Sequence, residues 1–288
     1  MQPKKILILG GTSYLGSQMY KFLKNEKHVV TATYNSNKVS SDDFKKCNLL
    51  EKIDTDKFSN YDFVFLYSFF VVGKHKLKKN KELINNVVEY VNKTNSHLIF
   101  ISSSQVKFSY ETEYKMSKLY AEKLIKDKVQ KYLIVRPSLP VGNPYKNFFK
   151  PKRNQPIEFL STLIKKIRIV PIIGDGKQTR QPIYVEDLNL IIYKIMMLQI
   201  KNKVIEIGGP EKISFNEIIK ILSNKFNKKC LKINVPLSLI YPFTYIFKFI
   251  DKENIKNSIS SEDMDNNSWK VLDKSLKDLK LKNFSSVI

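Results

Sequence analysis

The sequence predicts an α/β protein whose first half forms a doubly wound parallel sheet. Apolar runs such as 98–101 and 132–135 are continuous rather than alternating, which is typical of strands that are covered on both faces. Segments with helical patterns separate these runs, at 15–25, 80–94 and 114–127. Strands that are joined through helices form parallel βαβ units, so the alternation of the two patterns indicates the fold class.

Five strands are expected in the first half of the chain, over 4–11, 28–34, 61–70, 97–104 and 132–137. From 138 to 156 the chain becomes dense in Pro, Asn and Gly, which indicates loops and the start of a second region. We therefore expect two domains. The sheet domain comprises 1–140 and about 182–207, and a smaller C-terminal α/β domain comprises 141–181 and 208–288.

The later part of the chain contains three further elements. A short strand and a helix are predicted over 181–198, and another strand and turn over 202–210. An amphipathic helix follows over 213–226, and it begins with a capping box in which Glu217 comes three residues after Ser214.

The charge of this chain does not indicate nucleic-acid recognition. The 288 residues carry a formal net charge of +23, but only four of the 50 basic residues are arginines, and the lysines are scattered. Clustered, Arg-rich surfaces are what base reading requires, so we expect no specific nucleic-acid partner. Cys47 and Cys230 are far apart, and the three histidines share no metal-ligand spacing. We expect reduced thiols, a cytoplasmic protein and no metal site.

The segment 235–250 is the one stretch that is apolar enough to interact with a membrane. Pro236, Pro242 and Lys248 interrupt it, and it is shorter than the ~20 residues that a span needs. We therefore expect no transmembrane span and favour a packed helix, with an interfacial helix as the alternative.

A glycine-containing turn follows the first strand. It comprises Gly10, Gly11, Thr12, Ser13, Tyr14, Leu15 and Gly16. Such a turn lets the backbone approach a pyrophosphate, which then lies at the positive amino end of the following helix. The turn predicts a dinucleotide site and a Rossmann-type sheet. Ser13 replaces the middle glycine of the motif, and its side chain either crowds the phosphate or donates a hydroxyl to it.

The end of the second strand favours NADP over NAD. An acidic residue there would accept the ribose hydroxyls of NAD, whereas a 2′-phosphate needs a cation. The chain has Asn35 and Lys38 at this place and no acid until Asp42. Ser68, in the third predicted strand, is a further cofactor contact that we expect in this half of the sheet.

Tyr114 and Lys118 form a Tyr-x-x-x-Lys pair, which carries little information alone. Three such pairs occur, the others being Tyr20/Lys24 and Tyr34/Lys38, and roughly two or three are expected by chance in so Lys-rich a chain. Only the pair at Tyr114 follows a strand that ends in serines and lies on a predicted helix, where residues four apart are neighbours. A cation beside a phenol lowers its pKa, so this pair could support proton transfer.

Taken together, these motifs resemble the extended short-chain dehydrogenase/reductase family, in its NAD-dependent epimerase/dehydratase branch that acts on nucleotide sugars. The resemblance extends over almost the whole chain, and the segments 171–188 and 204–222 are similar to that branch's later signatures. It implies that Tyr114 transfers a proton, that Lys118 lowers its pKa and holds the nicotinamide ribose, and that Ser103, with Ser104 as runner-up, orients the substrate oxygen.

The resemblance also implies roles for residues outside this set. Arg136 and Pro137 match a pair that follows a later strand and belongs to the cofactor site. Arg180 matches an arginine that grips a nucleotide diphosphate, and Ser104 is a further expected substrate contact. Asn80 matches an Asn at the start of the preceding helix. Homodimers are expected from the family resemblance.

Departures from the family pattern narrow the expected activity. Ser104 and Gln105 stand where the 4,6-dehydratases carry an Asp-Glu pair, so dehydration is disfavoured. Leu139 replaces an Asn that often contacts substrate, and Asn48 replaces an Asp that usually meets adenine. We expect an NAD(P)-dependent nucleotide-sugar epimerase or keto-sugar reductase, that is, an isomerase or oxidoreductase. The alternative is a non-catalytic, nucleotide-bound structural or membrane-associated member of the same fold.

Overall fold

The computed structural model describes residues 2–71, 73–142, 156–236, 255 and 259–287. Within them the main sheet is formed by β1 (Lys5–Leu9), β2 (Val29–Tyr34), β3 (Phe44–Lys46), β4 (Phe63–Leu66), β5 (His97–Ile101), β6 (Tyr132–Pro137) and β11 (Lys203–Ile207). The shorter strands are β7 (Pro140–Val141), β8 (Ile169–Ile173), β9 (Thr179–Arg180), β10 (Ile183–Tyr184), β12 (Ile213–Ser214) and β13 (Leu231–Val235).

The helices alternate with these strands. They are α1 (Tyr14–Asn25), α2 (Lys76–Thr94), α3 (Glu113–Lys128), α4 (Pro156–Thr162), α5 (Val185–Met197), α6 (Phe215–Lys225), α7 (Asn267–Lys270), α8 (Lys274–Lys277) and α9 (Phe284–Val287). A 3₁₀ turn spans Ser104–Lys107, and a π-helical turn spans Leu163–Ile167.

The main sheet of the described residues has seven strands in the order β11-β6-β5-β4-β1-β2-β3. All of its strand pairs are parallel. The order reverses beside β1, which places the carboxyl ends of β1 and β4 at the switch point where ligands bind in open sheets. The predicted doubly wound Rossmann-type sheet is confirmed.

Both faces of the sheet are covered, as the continuous apolar runs indicate. Ile6 and Ile8 of β1 pack in one core with α1 and α5, whereas Leu7 and Leu9 point to the other face and pack with α2 and α3. All four side chains are fully buried. Alternate residues of a strand point to opposite faces, so a strand with two buried faces needs apolar residues at every position.

Several details of the sheet differ from the predicted strands; β4, for example, spans Phe63–Leu66 instead of 61–70. The strand expected over 97–104 ends at Ile101, because Ser103 caps the 3₁₀ turn through a bond from the Gln105 amide to its Oγ, 3.2 Å long. The short edge strand β3 was not predicted, since its sequence Phe-Lys-Lys is mostly polar and lacks the apolar pattern of a buried strand.

A third core lies away from the main sheet. It includes Val170 and Ile172 of β8, Ile218 and Leu222 of α6, and Phe284. Three short strand pairs, β7 with β10, β8 with β13 and β9 with β12, accompany it. This separate core agrees with a second α/β unit, while the predicted domain boundaries themselves stay a prediction.

The chain returns to the sheet twice after residue 140. β11 pairs with β6 in parallel, and α5 packs against α1. Later, Trp269 and Leu276 are fully buried in the same core as α1 and α5. Part of the segment 208–288, which is predicted to belong to the second domain, thus packs on the sheet.

None of the helices in the described ranges is long and apolar enough to span a membrane. Of the segment 235–250, the residues 237–250 lie outside the described part of the chain.

Candidate active site

The glycine turn joins β1 to α1 at the switch point of the sheet. Gly10 has φ = +93°, in the left-handed region that favours glycine, and a Cβ on Gly16 would lie 2.3 Å from the Gly10 carbonyl oxygen. Ser13 is the N-cap of α1, and its Oγ accepts a hydrogen bond of 3.1 Å from the Gly16 amide. Ser13, at the middle-glycine position, therefore has a capping role that needs no ligand.

Three other residues of the turn have distinct surroundings. The Tyr14 hydroxyl donates a hydrogen bond of 2.9 Å to the Gly142 carbonyl, and burial raises the pKa of this phenol. Leu15 packs against the core under α1. Thr12 is half-buried at the strand end. Tyr14 thus ties the turn to the segment after β7.

The residues predicted to contact the rest of the cofactor follow β2, β3 and β4. Asn35 and Lys38 follow β2 and are exposed, and Ser68 follows β4 within 3 Å of where a Gly10 Cβ would lie. The Asn48 side chain stabilises the turn in which it lies. Its Nδ2 donates a hydrogen bond of 2.6 Å to Glu51 Oε1, and its Oδ1 accepts one from the Leu50 amide. The Asn48 side chain is thereby held in place at the end of β3.

The surroundings of the turn fit a dinucleotide. The amino end of the 12-residue α1 meets the end of β1 there, which gives amide donors and a positive dipole end for a pyrophosphate. The Tyr67 hydroxyl, beside Ser68, is buried and has no hydrogen-bond partner within the described ranges. Exposed Asn35 and Lys38 lie at the next strand end.

The predicted catalytic residues come together at the end of β5. The Tyr114 side chain, in the first turn of α3, faces Ser103, the residue that caps the 3₁₀ turn after β5. Burial raises the pKa of Tyr114 to about 12, and the Ser103 side chain opposes that rise. The phenol is therefore protonated at neutral pH.

Lys118 lies one helical turn from Tyr114 and is 3% exposed. Its Nζ donates a hydrogen bond of 2.7 Å to the Ile101 carbonyl, and it lies 3.8 Å from the centre of the Phe69 ring and 5.6 Å from that of Tyr114. Burial lowers the pKa of Lys118 to about 7, while Glu122 opposes the shift. The residue is thus a buried cation whose charge depends on its neighbours near neutral pH.

The pair Tyr20/Lys24 has a structural explanation. The Tyr20 hydroxyl donates to Asp43 over 2.7 Å, and Lys24 lies 2.9 Å from the same carboxylate oxygen. Although burial acts against it, these bonds keep the pKa of Asp43 below its usual range. This pair ties α1 to the segment before β3 and lies away from the serines.

The residues predicted to bind substrate both contact Glu262. Ser104 Oγ donates a hydrogen bond of 2.7 Å to Glu262 Oε1, and Arg180 Nε lies 4.0 Å from the same oxygen. Ser138 Oγ donates to the other carboxylate oxygen. Glu262 is 5% exposed. Sequence reasoning missed this residue, since nothing in its local pattern distinguishes it from other acids.

Arg136 belongs to a second buried ionic cluster. Its guanidinium binds Glu122 through Nε at 3.0 Å and Nη2 at 2.6 Å, and Nη1 lies 3.4 Å from Glu206. Ser102 also donates to Glu122, over 2.6 Å. Pro137 ends β6 beside it. Glu122 comes four residues after Lys118 on α3, and this helical spacing is the signal that could have identified it.

Asn80 is fully buried on α2, and its side chain is hydrogen bonded to the backbone of the loop that follows β4. Its Oδ1 accepts a bond of 2.8 Å from the Phe70 amide, and its Nδ2 donates one of 3.0 Å to the Phe70 carbonyl. The loop carries Ser68 and Phe69, so Asn80 holds two residues of the site in place. In the part of the chain that the structure describes, no three His, Cys, Asp or Glu residues are grouped so that they could hold a metal ion.

Solved structures with a similar fold include nucleotide-sugar enzymes. The UDP-glucuronic acid 4-epimerase of Bacillus cereus, solved with UDP-glucuronic acid and NAD, has a TM-score of 0.76 at 19% identity, covering 98% of this chain and 96% of that one. A double mutant of the dTDP-glucose 4,6-dehydratase DesIV from Streptomyces venezuelae was solved with NAD and DAU. It has a TM-score of 0.75 at 12% identity, and the match covers 100% of this chain and 94% of that one. The dTDP-4-dehydrorhamnose reductase of Bacillus anthracis, solved with NADP, has a TM-score of 0.65 at 16% identity. This match covers 83% of this chain and 86% of that one.

At these identities the similarity establishes the fold alone. No curated protein sequence matches this chain. The profile of one family does match, over residues 6–208, which include the glycine turn, Ser103, Tyr114, Lys118 and Arg180. Since this match extends over more than half of the sequence, the chain belongs to the NAD dependent epimerase/dehydratase family.

Proposed function

We propose that this chain is an NAD(P)-dependent enzyme that epimerises or reduces a nucleotide sugar with Ser103, Tyr114 and Lys118. The observation that carries the proposal is the position of Lys118, whose Nζ lies 5.6 Å from the centre of the Tyr114 ring and donates a hydrogen bond of 2.7 Å to the carbonyl of Ile101, two residues before Ser103. This set lies at the carboxyl end of β5, on the sheet edge that also carries the glycine turn.

In the proposed reaction Tyr114 exchanges a proton with a hydroxyl of the sugar, and Ser103 orients the oxygen of that hydroxyl. The nicotinamide, when bound, supplies the hydride acceptor or donor. With a pKa of about 12, the Tyr114 phenol is protonated at neutral pH and acts as the proton donor in the reducing direction. The opposite direction requires that its pKa fall, and Lys118 is the cation placed to lower it.

The choice between epimerisation and reduction stays open within this proposal. The solved neighbours include both kinds of enzyme. Dehydration is disfavoured, because Ser104 and Gln105 supply no carboxyl group at the place of the dehydratases' acid and base. Ser104 is also engaged by Glu262.

We further propose that the enzyme prefers NADP. Lys38 is exposed after β2, with no acid until Asp42, and a lysine suits a 2′-phosphate. Titration of protein fluorescence with NADPH and with NADH measures this preference. Lys38→Glu is expected to weaken NADPH binding by roughly tenfold relative to NADH, whereas Lys123→Glu, an exposed change on α3, is not. Equal loss for the two dinucleotides, or none, would contradict the proposal.

The main test of function is turnover on a panel of UDP-, dTDP- and GDP-sugars with each dinucleotide. Epimerisation gives a product with no net change of NAD(P)H absorbance, whereas reduction of a keto sugar consumes NADPH. Tight binding of the dinucleotide without turnover on any sugar would favour the alternative, a non-catalytic nucleotide-bound subunit. The observation that favours this alternative is Ser13, which stands at the middle-glycine position of the turn and whose side chain caps α1.

Two further properties follow from the proposed function. The expected substrate is a nucleotide sugar, whose diphosphate Arg180 would bind. A homodimer is the expected assembly, and sedimentation velocity of the purified chain measures it directly.

A further inference from the structure

Glu262 is a buried carboxylate at the substrate side of the candidate site. It accepts hydrogen bonds from Ser104 and Ser138, and it forms an ion pair with Arg180 at 4.0 Å. Ser104 and Ser138 are 4% and 1% exposed. A carboxylate in such a place is tolerated because donors and a cation compensate its charge.

The segment that carries Glu262 is held in place by its backbone. The Glu262 amide donates a bond of 2.9 Å to the Thr179 carbonyl, and the Thr179 amide donates one of 3.1 Å to Ser261 Oγ. The Met264 amide donates to the Gln181 side chain over 2.8 Å. The segment thus runs beside Thr179, Arg180 and Gln181, and these bonds hold the Glu262 carboxylate at a fixed position in the candidate site.

Arg180 is the cation that the proposed function assigns to the substrate's diphosphate. Besides Glu262, its guanidinium contacts the carbonyls of Thr179 and Ser260 and lies 5.5 Å from the centre of the Phe108 ring. Among these partners Glu262 is the one with a full negative charge. An incoming diphosphate and the Glu262 carboxylate would therefore compensate the same cation.

We propose that Glu262 limits the affinity for the substrate by competing with the anionic diphosphate of the substrate for Arg180. It holds the affinity for nucleoside diphosphates below the value that Arg180 alone would give. This inference rests on the proposed function, because it takes Arg180 as the diphosphate-binding residue. A purely structural Glu262 would instead stabilise the fold and leave nucleotide affinity unchanged.

The test is calorimetric titration of the full chain with UDP and with dTDP. Glu262→Gln keeps the side-chain shape and can still hydrogen bond to both serines, but it removes the charge. We expect this variant to bind the nucleotide at least about fivefold more tightly than the wild type. The matched control is Asp263→Asn, which removes one charge from the next residue, where the carboxylate is exposed and pairs with Lys212 at 3.0 Å. The control is expected to bind as the wild type does.

A double variant tests whether the gain in nucleotide affinity depends on Arg180. In Arg180→Gln, the further change Glu262→Gln should give no gain, because the cation for which the two anions compete is absent. Unchanged or weaker binding by Glu262→Gln, an equal gain in Asp263→Asn, or a gain that persists without Arg180 would each overturn the proposal. Far-UV circular dichroism and thermal melting check that each variant is folded.

These titrations need neither dinucleotide nor turnover. Failure of the proposed function appears as absent catalysis on the sugar panel, whereas failure of this inference appears in the relative nucleotide affinities of the variants. The two failures are therefore distinguishable.

Discussion

The pKa values of Tyr114 and Lys118 are shifted in opposite directions by the same cause, which is burial. Burial disfavours the charged form of each group, so it raises the pKa of the phenol to about 12 and lowers that of the ammonium to about 7. The Ser103 side chain acts against the shift of the Tyr114 pKa, and the Glu122 charge acts against that of the Lys118 pKa. At this scale the site is a neutral proton donor beside a weakly basic amine.

The proton-transfer role of Tyr114 predicts a specific loss of catalysis. Tyr114→Phe removes the hydroxyl and keeps the ring, so kcat should fall by roughly 10²- to 10⁴-fold, while dinucleotide affinity changes little. Steady-state kinetics and fluorescence titration measure the two quantities separately. Tyr110→Phe is the matched control, since Tyr110 lies in the preceding loop and is 40% exposed. Wild-type turnover by Tyr114→Phe would exclude the role.

At the scale of the element, α3 organises the candidate site. Thr112 caps it by accepting a bond of 3.1 Å from the Lys115 amide, which defines where the helix begins. Tyr114, Lys118 and Glu122 then follow at intervals of four residues and lie on one face. Lys118 meets the end of β5 through Ile101, and Glu122 meets β6 through Arg136. One capped helix thus links the proposed catalytic pair to two strands.

The predicted capping box of α6 is present. Ser214 Oγ accepts from the Glu217 amide at 3.2 Å, and the Glu217 carboxylate accepts from the Ser214 amide at 2.7 Å. Both bonds satisfy amides at the start of the helix that would otherwise lack a partner inside it.

Loss of this cap should weaken the core of the smaller unit, to which α6 contributes Ile218 and Leu222. Ser214→Ala is expected to lower the free energy of unfolding by about 1 kcal/mol, measured by urea unfolding. Glu217→Gln serves as the control, because a Gln at this position can still accept the bond from the Ser214 amide, and its loss should be smaller. A larger loss for Glu217→Gln than for Ser214→Ala would show that charge, not capping, dominates.

At the scale of the whole molecule, buried histidines give the fold a pH dependence. His97, at the start of β5, is 7% exposed, and its Nε2 has no hydrogen-bond partner in the described ranges. Burial lowers the pKa of His97 from 6.5 to about 4, and it also lowers the pKa of His28. An unfolded chain therefore binds protons near pH 6 that the folded chain does not.

The sign of this effect is that stability falls as the pH falls. The contribution of His97 is complete above its unfolded pKa of 6.5 and is lost progressively toward its folded pKa of about 4. Between pH 7 and pH 5 the loss should be about 2 kcal/mol, at about 1.4 kcal/mol per pKa unit. Urea unfolding of the wild type and of His97→Gln at the two pH values measures it.

The variant His97→Gln should lose less stability than the wild type over this interval, whatever its absolute stability. His75→Gln, at an exposed position before α2, should keep the wild-type pH dependence. If His97→Gln has the same pH dependence as the wild type, the buried imidazole is not the cause.

The sequence by itself determined the features that depend on neighbours along the chain. Continuous apolar runs predicted the strands of the parallel sheet, glycine spacing predicted the turn before α1, and Ser214 with Glu217 predicted a helix start. Ser103, Tyr114 and Lys118 could be identified because they lie within 16 residues on one strand–helix unit. Local patterns suffice here because periodicity, capping and turn conformation are local in origin.

Only the tertiary structure decided which distant groups meet at this unit. Glu262 lies 158 residues from Ser104, and its role depends on the pairing of its segment with Thr179 rather than on any pattern around it. The low pKa of Lys118 likewise depends on burial, and the Phe69 ring that lies over its Nζ comes from another strand end. Charge compensation and desolvation are set by the groups within a few ångströms, and sequence separation carries no information about that distance.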